Sequence, residues 1–267
     1  MSVYYREKPE YLRAAIDSVL SQTVKTNDFV IVCDGPLSEG LNHVITDYVT
    51  TYSGLFHIYR LHHNMGLAKA LNNGILQCKN EIIVRMDSDD ICAGDRVEKQ
   101  LEAMDREGAD IVGSNIIEFV KSISNTKNSR VVPEKNKDII NFAKSRSPFN
   151  HPSVMYKKSA VQAAGFYEDY RYFEDYNLWV SMLVKGFQGY NVQENLVYMR
   201  AGKDMYKRRG GFSYVKCIFR FENHLRKIGF VSTPSFLLRA VTRSFVSIVP
   251  NSMRTLIYTK ILRKGDR

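Results

Sequence analysis

Residues 82–90 read Ile-Ile-Val-Arg-Met-Asp-Ser-Asp-Asp, a short apolar run that ends in three carboxylates within four residues. The run 82–86 predicts a buried strand. Carboxylates packed this closely repel one another. The cluster Asp87-Ser88-Asp89-Asp90 therefore predicts either a divalent cation, which hard oxygen ligands suit, or a solvated turn whose aspartate caps the next helix. The motif alone does not decide between them.

Apolar periodicity on both sides of this strand predicts alternating helices and strands. Helices are predicted at about 9–20, 39–52, 66–78 and 95–107, and strands at 29–33, 55–61 and 110–120. Short links between alternating elements indicate an α/β fold with a mostly parallel sheet covered by helices on both faces. Ligands bind outside the carboxyl ends of strands in such sheets, where Asp34 and the acidic cluster both lie.

The second half of the chain has a less regular pattern. Residues 121–150 are polar and turn-rich and predict a loop. A strand is predicted near 154–156, and helices are predicted near 159–164 and from about Glu174. The tail, from about 211 onwards, predicts three helices at 214–228, 235–248 and 251–262.

Composition indicates an ordinary globular protein. The 267 residues are 44% hydrophobic and 25% charged, which argues against disorder. None of the four cysteines forms a C-x-x-C pair, so neither a zinc cage nor a disulfide framework is expected, and a reducing compartment is favoured. No charged and then apolar leader opens the chain, so we expect no secretory signal.

The positive charge is concentrated in the tail. Residues 1–200 hold 23 Lys and Arg against 25 Asp and Glu, a net charge of −2, whereas residues 201–267 hold 15 against 3, a net charge of +12. The tail helices interleave apolar and basic residues without a charge-free apolar stretch of about 20 residues. This pattern suits an anionic membrane surface, or a helical cap packed on the rest of the chain. No recognised nucleic-acid-binding motif accompanies the charge.

Four further places could carry chemistry. Asp34-Gly35 follows a strand. Its carboxylate could accept a hydrogen bond from a base or a ribose hydroxyl, or the two residues could form a plain turn. Gly66 and Lys69 begin a helix. They could contact a diphosphate, or they could form an ordinary helix start with a solvated lysine. Glu174-Asp175 also begin a helix. They could provide a general base, or they could be favourable partners of the helix dipole. His151 is either structural or turned towards the donor.

Together these stretches resemble the family 2 glycosyltransferases, inverting enzymes with a GT-A fold. The resemblance covers about residues 1–200, and the motifs stand in the family's order and spacing. Each motif is weak alone, but the ordered set is specific. The matching stretches are Met1–Tyr5, Tyr11–Thr23, Val32–Gly35, Asn64–Gly74, Met86–Asp90 and Glu174–Trp179.

The resemblance implies a role for each matching residue. Asp34 and Tyr4 would contact the nucleotide, with Asp87 near the ribose or base and Ser88 beside it. Asn64, Gly66 and Lys69 would lie near the diphosphate or base, and Asp89 would bind Mn²⁺ or Mg²⁺. Asp175 would be the general base that deprotonates the acceptor hydroxyl, with Glu174 as its neighbour.

The resemblance also implies the setting of the reaction. The donor would be a nucleotide sugar, most commonly a UDP-sugar, and the acceptor a saccharide, lipid-linked in many bacterial relatives. The enzyme would act in surface polysaccharide biosynthesis as a cytoplasmic protein at the inner face of the plasma membrane. Residues 1–205 would form the catalytic domain and residues 206–267 the basic amphipathic helical region.

Two departures and the alternative functions bear on this interpretation. The family commonly has a second Asp where this chain has Cys33, and several apolar residues before the position of Met1, so we expect a start further upstream or a curtailed first strand. A sugar nucleotidyltransferase would need a glycine-rich phosphate loop, which residues 1–30 lack. A non-catalytic nucleotide-sugar-binding module would not need Asp89 and Asp175.

Overall fold

The first half of the chain forms three parallel strands joined by helices. A computed structural model describes residues 1–120, 122–124, 126–201, 210–249 and 253. The strands pair in the order β1-β2-β3, and every residue of β2 is buried. The elements are β1 (Ser2–Val3), α1 (Pro9–Leu20), β2 (Phe29–Cys33), α2 (Glu39–Thr51), β3 (Phe56–Arg60) and α3 (Leu67–Gln77).

Local sequence explains how the first two helices begin and which faces they bury. Proline occupies the first turn of α1, where its missing N–H costs no hydrogen bond. Leu12, Ala15 and Ile16 follow at helical spacing and are fully buried. Ser38 caps α2 by accepting a hydrogen bond from the backbone N–H of Leu41.

The second half of the chain builds a mixed sheet, with strand order β4-β8-β6-β9-β5 and with β7 paired to β6. Only β6 and β9 run parallel, and the other pairs are antiparallel. The elements are β4 (Ile82–Val84), β5 (Ile91–Cys92), α4 (Arg96–Glu107), β6 (Ile111–Phe119), β7 (Thr126–Arg130), α5 (Asn136–Ala143), a 3₁₀ turn (His151–Ser153), β8 (Met155–Lys157), α6 (Lys158–Ala164), α7 (Glu174–Val184), β9 (Gly189–Arg200), α8 (Phe212–Lys227) and α9 (Thr233–Ile248).

The predicted α/β class is confirmed, and the parallel pairing lies mainly in the first half of the chain. The predicted loop at 121–150 is wrong in part, because it contains β7 and α5. The polar sequence of β7 lacks the apolar alternation of a buried strand, and its pairing with β6 stabilises it instead. Strand β9 was not predicted, since Glu194 and Asn195 interrupt its apolar pattern at an irregularity of the pairing.

The two sheets meet at the end of β1. Ser2 pairs in parallel with Val32 on one side and forms an isolated parallel bridge with Asp87 on the other. The residues that follow β1, β2 and β4 therefore emerge along one edge. This register brings Tyr4, Asp34 and the acidic cluster to the same side of the molecule, as predicted from the carboxyl ends of the strands.

Two C-terminal helices pack against the helix that begins with Glu174. Apolar side chains of α8 share a core cluster with Phe173, Tyr176 and Val180 at α7. The predicted tail helices at 214–228 and 235–248 match α8 and α9, and the third, at 251–262, lies outside the described residues. None of the helices in the described part of the chain combines the length and apolar character needed to cross a bilayer.

Gly35, in the turn after β2, packs closely against the loop that bears Asn64. Gly35 has φ of +88°, and a Cβ there would lie 2.7 Å from the backbone nitrogen of Asn64. We expect Gly35→Ala to lower the free energy of unfolding by roughly 2 kcal/mol or more, because a strained φ is combined with a backbone clash. Urea denaturation measures the change.

Gly54→Ala is the matched control. Gly54 has φ of +80°, but a Cβ there would meet nothing within 4 Å. We expect only the positive-φ cost, about 1 kcal/mol. Equal losses for the two variants would contradict the close packing assigned to Gly35.

Candidate active site

Asp34 ties the end of β2 to the start of α3. Its carboxylate is buried and accepts hydrogen bonds from the backbone N–H groups of Met65 and Gly66, at 2.6 and 3.1 Å. Asn64 returns a contact through its side-chain amide, which donates to the Asp34 carbonyl at 3.3 Å. Gly66 precedes α3 with φ of +87°, a conformation that glycine adopts without strain. Asp34 thus shapes the loop that bears Asn64 and Gly66.

Tyr4 and Lys69 stand at the rim of this edge. Tyr4 follows β1 with 36% of its surface exposed, and its ring meets Tyr5 edge-to-face at 5.9 Å. Lys69 lies in the first turn of α3 with its side chain in solvent. Both predicted nucleotide-binding residues are therefore accessible to a ligand.

Asp87 is paired with a buried arginine. Arg85, only 4% exposed, donates from both terminal nitrogens to the two Asp87 oxygens, with Nη1 to Oδ2 at 2.6 Å. Burial works against its charge, but Asp87, Tyr167 and Asp90 together outweigh burial and hold the pKa of Arg85 above its usual value. Arg85 was not predicted as a site residue, although a charged residue in the run 82–86 is a signal that could have found it.

Asp89 and Ser88 face an acid from the loop after β1. The Ser88 hydroxyl donates to Glu7 Oε2 at 2.9 Å. Burial, followed by the charges of Asp87 and Glu7, raises the pKa of Asp89 to about 7. Asp89 makes no ion pair with a described residue, and the charges of Asp87 and Glu7 crowd its carboxylate.

Asp90 is enclosed by the protein. Its Oδ1 accepts the backbone N–H of Arg200 at 2.7 Å, and only 2% of the residue is exposed. The Arg200 guanidinium lies over the rings of Tyr11 and Phe119, at 3.8 and 4.5 Å, and its Nε donates to the carbonyl of Asp89 at 3.0 Å. No local pattern predicted Arg200, since it comes from the end of β9.

Glu174 and Asp175 begin α7, where acids are favourable partners of the helix dipole. Burial, followed by the charge of Asp175, raises the pKa of Glu174 to about 7. Its Oε2 is buried and has no hydrogen-bond partner in the described part of the chain. A carboxyl group in this setting holds its proton at a higher pH than a solvated one.

Tyr167 links the two acidic regions. Its ring hydroxyl lies 3.1 Å from His151 Nε2, and its backbone is held by the Asn72 side chain of α3. Burial raises the pKa of Tyr167 well above its usual value, with the charge of Arg85 opposing and that of Asp175 adding to the effect. Tyr167 is therefore within electrostatic reach of both the acidic cluster and α7, and His151 takes the structural alternative.

The carboxylates of the acidic cluster differ in how far the protein already engages them. No group of three or more His, Cys, Asp or Glu side chains forms a ready metal site among the residues that the structure covers. Asp87 is paired with Arg85, and Asp90 is enclosed, which leaves Asp89. Mg²⁺ is commonly held by one or two carboxylates together with substrate phosphates, and this donor set fits that arrangement.

A family model described as glycosyl transferase family 2 matches residues 1–169. The chain belongs to this family. A relative from Escherichia coli, a UDP-Gal:alpha-D-GlcNAc-diphosphoundecaprenol beta-1,3-galactosyltransferase, is 36% identical over 99% of this chain and 95% of its own. The amylovoran biosynthesis glycosyltransferase AmsE of Erwinia amylovora is also 36% identical, over 99% and 98%. The protein is therefore a glycosyltransferase of polysaccharide biosynthesis, as the motifs predicted.

Solved structures share the fold at low identity. Staphylococcus aureus TarS 1–349 in complex with UDP-GlcNAc superposes with a TM-score of 0.67 at 13% identity, covering 99% of this chain and 77% of that one. The mannosyltransferase PcManGT from Pyrobaculum calidifontis, in complex with GDP-Man and Mn²⁺, gives a TM-score of 0.63 at 13% identity, covering 99% and 81%. These matches confirm the predicted GT-A fold.

The raised pKa of Glu174 gives a testable dependence of stability on pH. The folded state binds this proton more tightly than the unfolded chain, so the free energy of unfolding falls as pH rises from 4.5 towards about 7. We expect Glu174→Gln to remove this contribution. Urea denaturation should show its stability relative to the unmodified protein rising by on the order of 2 kcal/mol across that range.

Glu102→Gln, at an exposed position of α4, is the control. It should leave the slope of stability against pH unchanged. If Glu174→Gln gives the same slope as the unmodified protein, the carboxyl group of Glu174 does not hold its proton through burial.

Proposed function

We propose that the protein transfers a sugar from a nucleotide-sugar donor to an acceptor hydroxyl with inversion at the anomeric carbon. The observation that carries the proposal is the separation of two acidic regions. One, at Asp87–Asp90, follows β4, and the other, at Glu174-Asp175, begins α7. Inverting transfer needs these two functions, a site for the donor diphosphate and a base on the acceptor side.

The donor nucleotide would lie along the edge formed by β1, β2 and β4. Asp34 holds the loop bearing Asn64 and Gly66, whose positive φ leaves backbone open to a ligand. Lys69, in the first turn of α3, supplies a positive charge for the diphosphate. Asp87, oriented by Arg85, is available to the ribose or base, with Ser88 beside it.

A divalent cation, Mn²⁺ or Mg²⁺, would be held at Asp89 and by the donor diphosphate. When bound, it offsets the negative charge that develops on the leaving diphosphate. The placement is supported by Asp89 itself, a largely buried carboxylate crowded by Asp87 and Glu7 without an ion-pair partner among the described residues. The Mn²⁺ in the complex of PcManGT is consistent with it.

Asp175 would act as the general base. It takes the proton of the acceptor hydroxyl while the oxygen attacks the anomeric carbon from the face opposite the leaving diphosphate. Glu174, whose pKa burial raises to about 7, is its neighbour at the start of the same helix. Inversion follows from the single displacement, and no covalent enzyme intermediate forms.

A UDP-sugar donor and a lipid-linked saccharide acceptor are the substrate classes that the relatives support. The Escherichia coli relative takes its name from UDP-Gal and from an acceptor carried on diphosphoundecaprenol, and the TarS complex contains UDP-GlcNAc. Both are properties of those proteins. For this chain they identify the first substrates to test.

We expect substitutions in the two acidic regions to affect different steps, transfer in one case and donor binding in the other. With a nucleotide sugar and metal that the unmodified protein uses, Asp175→Asn should lower kcat for transfer by roughly 10³-fold or more but keep donor binding, because only the base is lost. Asp89→Ala should instead weaken metal-dependent donor binding. Calorimetric titration with the UDP-sugar and product analysis separate these effects.

Glu102→Gln again serves as a control and should keep full activity. Normal transfer by Asp175→Asn would overturn the base assignment alone. If the unmodified protein turns over none of a panel of nucleotide sugars with Mn²⁺ or Mg²⁺, the proposed function itself fails.

We also propose that the C-terminal hairpin, α8 and α9, docks on an anionic membrane surface. The outer face of α9 exposes Leu238, Val241 and Phe245 by 67%, 61% and 68%. Side chains at this spacing share one helix face. Exposed Phe212 and Lys216 add an aromatic and a basic group on α8. A chain with a net charge of +12 over residues 201–267 complements anionic lipid.

Replacing two side chains of this face should weaken membrane binding. Burial of one large apolar side chain is worth about 1.5–3 kcal/mol, so Leu238→Ser with Phe245→Ser should lower partitioning onto phosphatidylglycerol vesicles by at least about tenfold. Sedimentation with vesicles measures it, and phosphatidylcholine vesicles should bind the unmodified protein more weakly.

Leu76→Ser is the matched control, since Leu76 is also an exposed leucine, 54% accessible, but lies on α3. It should sediment like the unmodified protein. Unchanged sedimentation of the double variant would show that α9 does not dock on lipid.

A further inference from the structure

The start of α7 is packed by the C-terminal hairpin. Phe173, the residue before the helix, stacks on Phe221 of α8 with 4.7 Å between ring centroids and 7° between ring planes. Tyr214 of α8 lies against the same Phe173 ring at 5.9 Å. Tyr176, one turn into α7, packs on Phe221 at 4.9 Å. The first turn of α7, which carries the two acids, therefore packs against aromatic side chains of α8.

A buried ionic cluster joins α8 to α9 next to these aromatic contacts. Glu222 is fully buried, with Oε2 3.0 Å from Arg239 Nη2 and Oε1 3.3 Å from Arg243 Nε. These atoms lie within ion-pair distance but outside hydrogen-bond geometry. One carboxylate thus pairs with two guanidinium groups that are turned inward, away from the exposed apolar face of α9.

Arg243 extends this cluster to the catalytic side of the molecule. Its Nη2 donates to the carbonyl of Ser145 at 2.6 Å, and its guanidinium carbon lies 6.0 Å from the centroid of the Phe173 ring. The hydroxyl of Tyr176 donates to the neighbouring carbonyl of Ala143 at 2.5 Å. Ala143 is the last residue of α5 and Ser145 follows two residues later, so both carbonyls lie near the C-terminus of the helix, where cations and donors are favourable. The contacts of Arg243 therefore connect α9, α8, α5 and the residue before α7.

We propose that Arg243, held by Glu222, is a positioning residue for the acceptor-side base. It acts through Phe173 and the end of α5 to set where Glu174 and Asp175 stand, and it touches neither substrate. The proposal rests on the proposed function, because positioning has a catalytic consequence only if α7 carries the base.

The expected effect is on turnover and not on donor binding. Donor-side carboxylates follow β2 and β4, whereas Arg243 reaches α7 and α5. A general base must lie within hydrogen-bond reach of the hydroxyl, and a displacement of about 1 Å can cost on the order of 10²-fold in rate. Loss of Arg243 should therefore lower kcat while the KM for the donor stays nearly constant.

The test compares Arg243→Gln with Arg226→Gln in the full chain. Arg226 is also a hairpin arginine, but its guanidinium contacts Asn223 of its own helix and lies 5.7 Å from the ring centroid of Phe236. We expect kcat for transfer from a UDP-sugar to fall by roughly 10- to 100-fold in Arg243→Gln, with donor KM changed less than about twofold. Arg226→Gln should keep kcat within about twofold.

Amide hydrogen exchange provides a readout that does not depend on activity. Exchange of the amides at 174–178 should be faster in Arg243→Gln than in Arg226→Gln, because the first turn of α7 is held less firmly. Faster exchange in a protein that transfers no sugar would support the positioning and refute the proposed function. Unchanged exchange at 174–178, or equal losses of kcat in the two variants, would overturn the proposal.

Discussion

The ion pair between Arg85 and Asp87 is the contact on which the rest of the site depends. Three carboxylates within four residues repel one another, and Arg85, which follows β4 and lies two residues before Asp87, supplies the first counter-charge. Because Arg85 is buried, loss of Asp87 would leave its charge without this partner, which is destabilising. With Asp87 balanced, the neighbouring acids are free to take other roles.

Compensation from other elements then divides the remaining acids. Arg96 is fully buried at the start of α4 and donates to the Arg85 carbonyl at 2.9 Å, although burial lowers its pKa to about 10. Arg200, from the end of β9, donates from Nε to the Asp89 carbonyl and from its backbone N–H to one Asp90 oxygen. Asp89 makes no ion pair with a described residue. The neighbouring carboxylates therefore differ in their surroundings, and under the proposed function Asp89 is the one that binds the cation.

The C-terminal hairpin combines two features that the charge pattern alone left as alternatives. Its inner face packs on α7 and pairs Arg239 and Arg243 with Glu222, so these two cations, with side chains 13% and 26% exposed, contribute little to the exposed surface. Its outer face remains apolar and exposed along α9. A packed cap and a surface suited to lipid are therefore compatible, since they use opposite sides of one helix.

The sequence by itself determined the elements whose signal is local. Helical spacing, the apolar run of β2, the glycine at 66 and the acidic cluster are properties of neighbouring residues, and their order was enough to predict the fold and family. Tertiary structure alone decided the antiparallel pairing of β8 with β4 and β6 and the strand at Thr126–Arg130. It also decided the placement of Arg200 and Arg243, because electrostatic compensation acts through space between residues that are more than a hundred positions apart or lie on different helices.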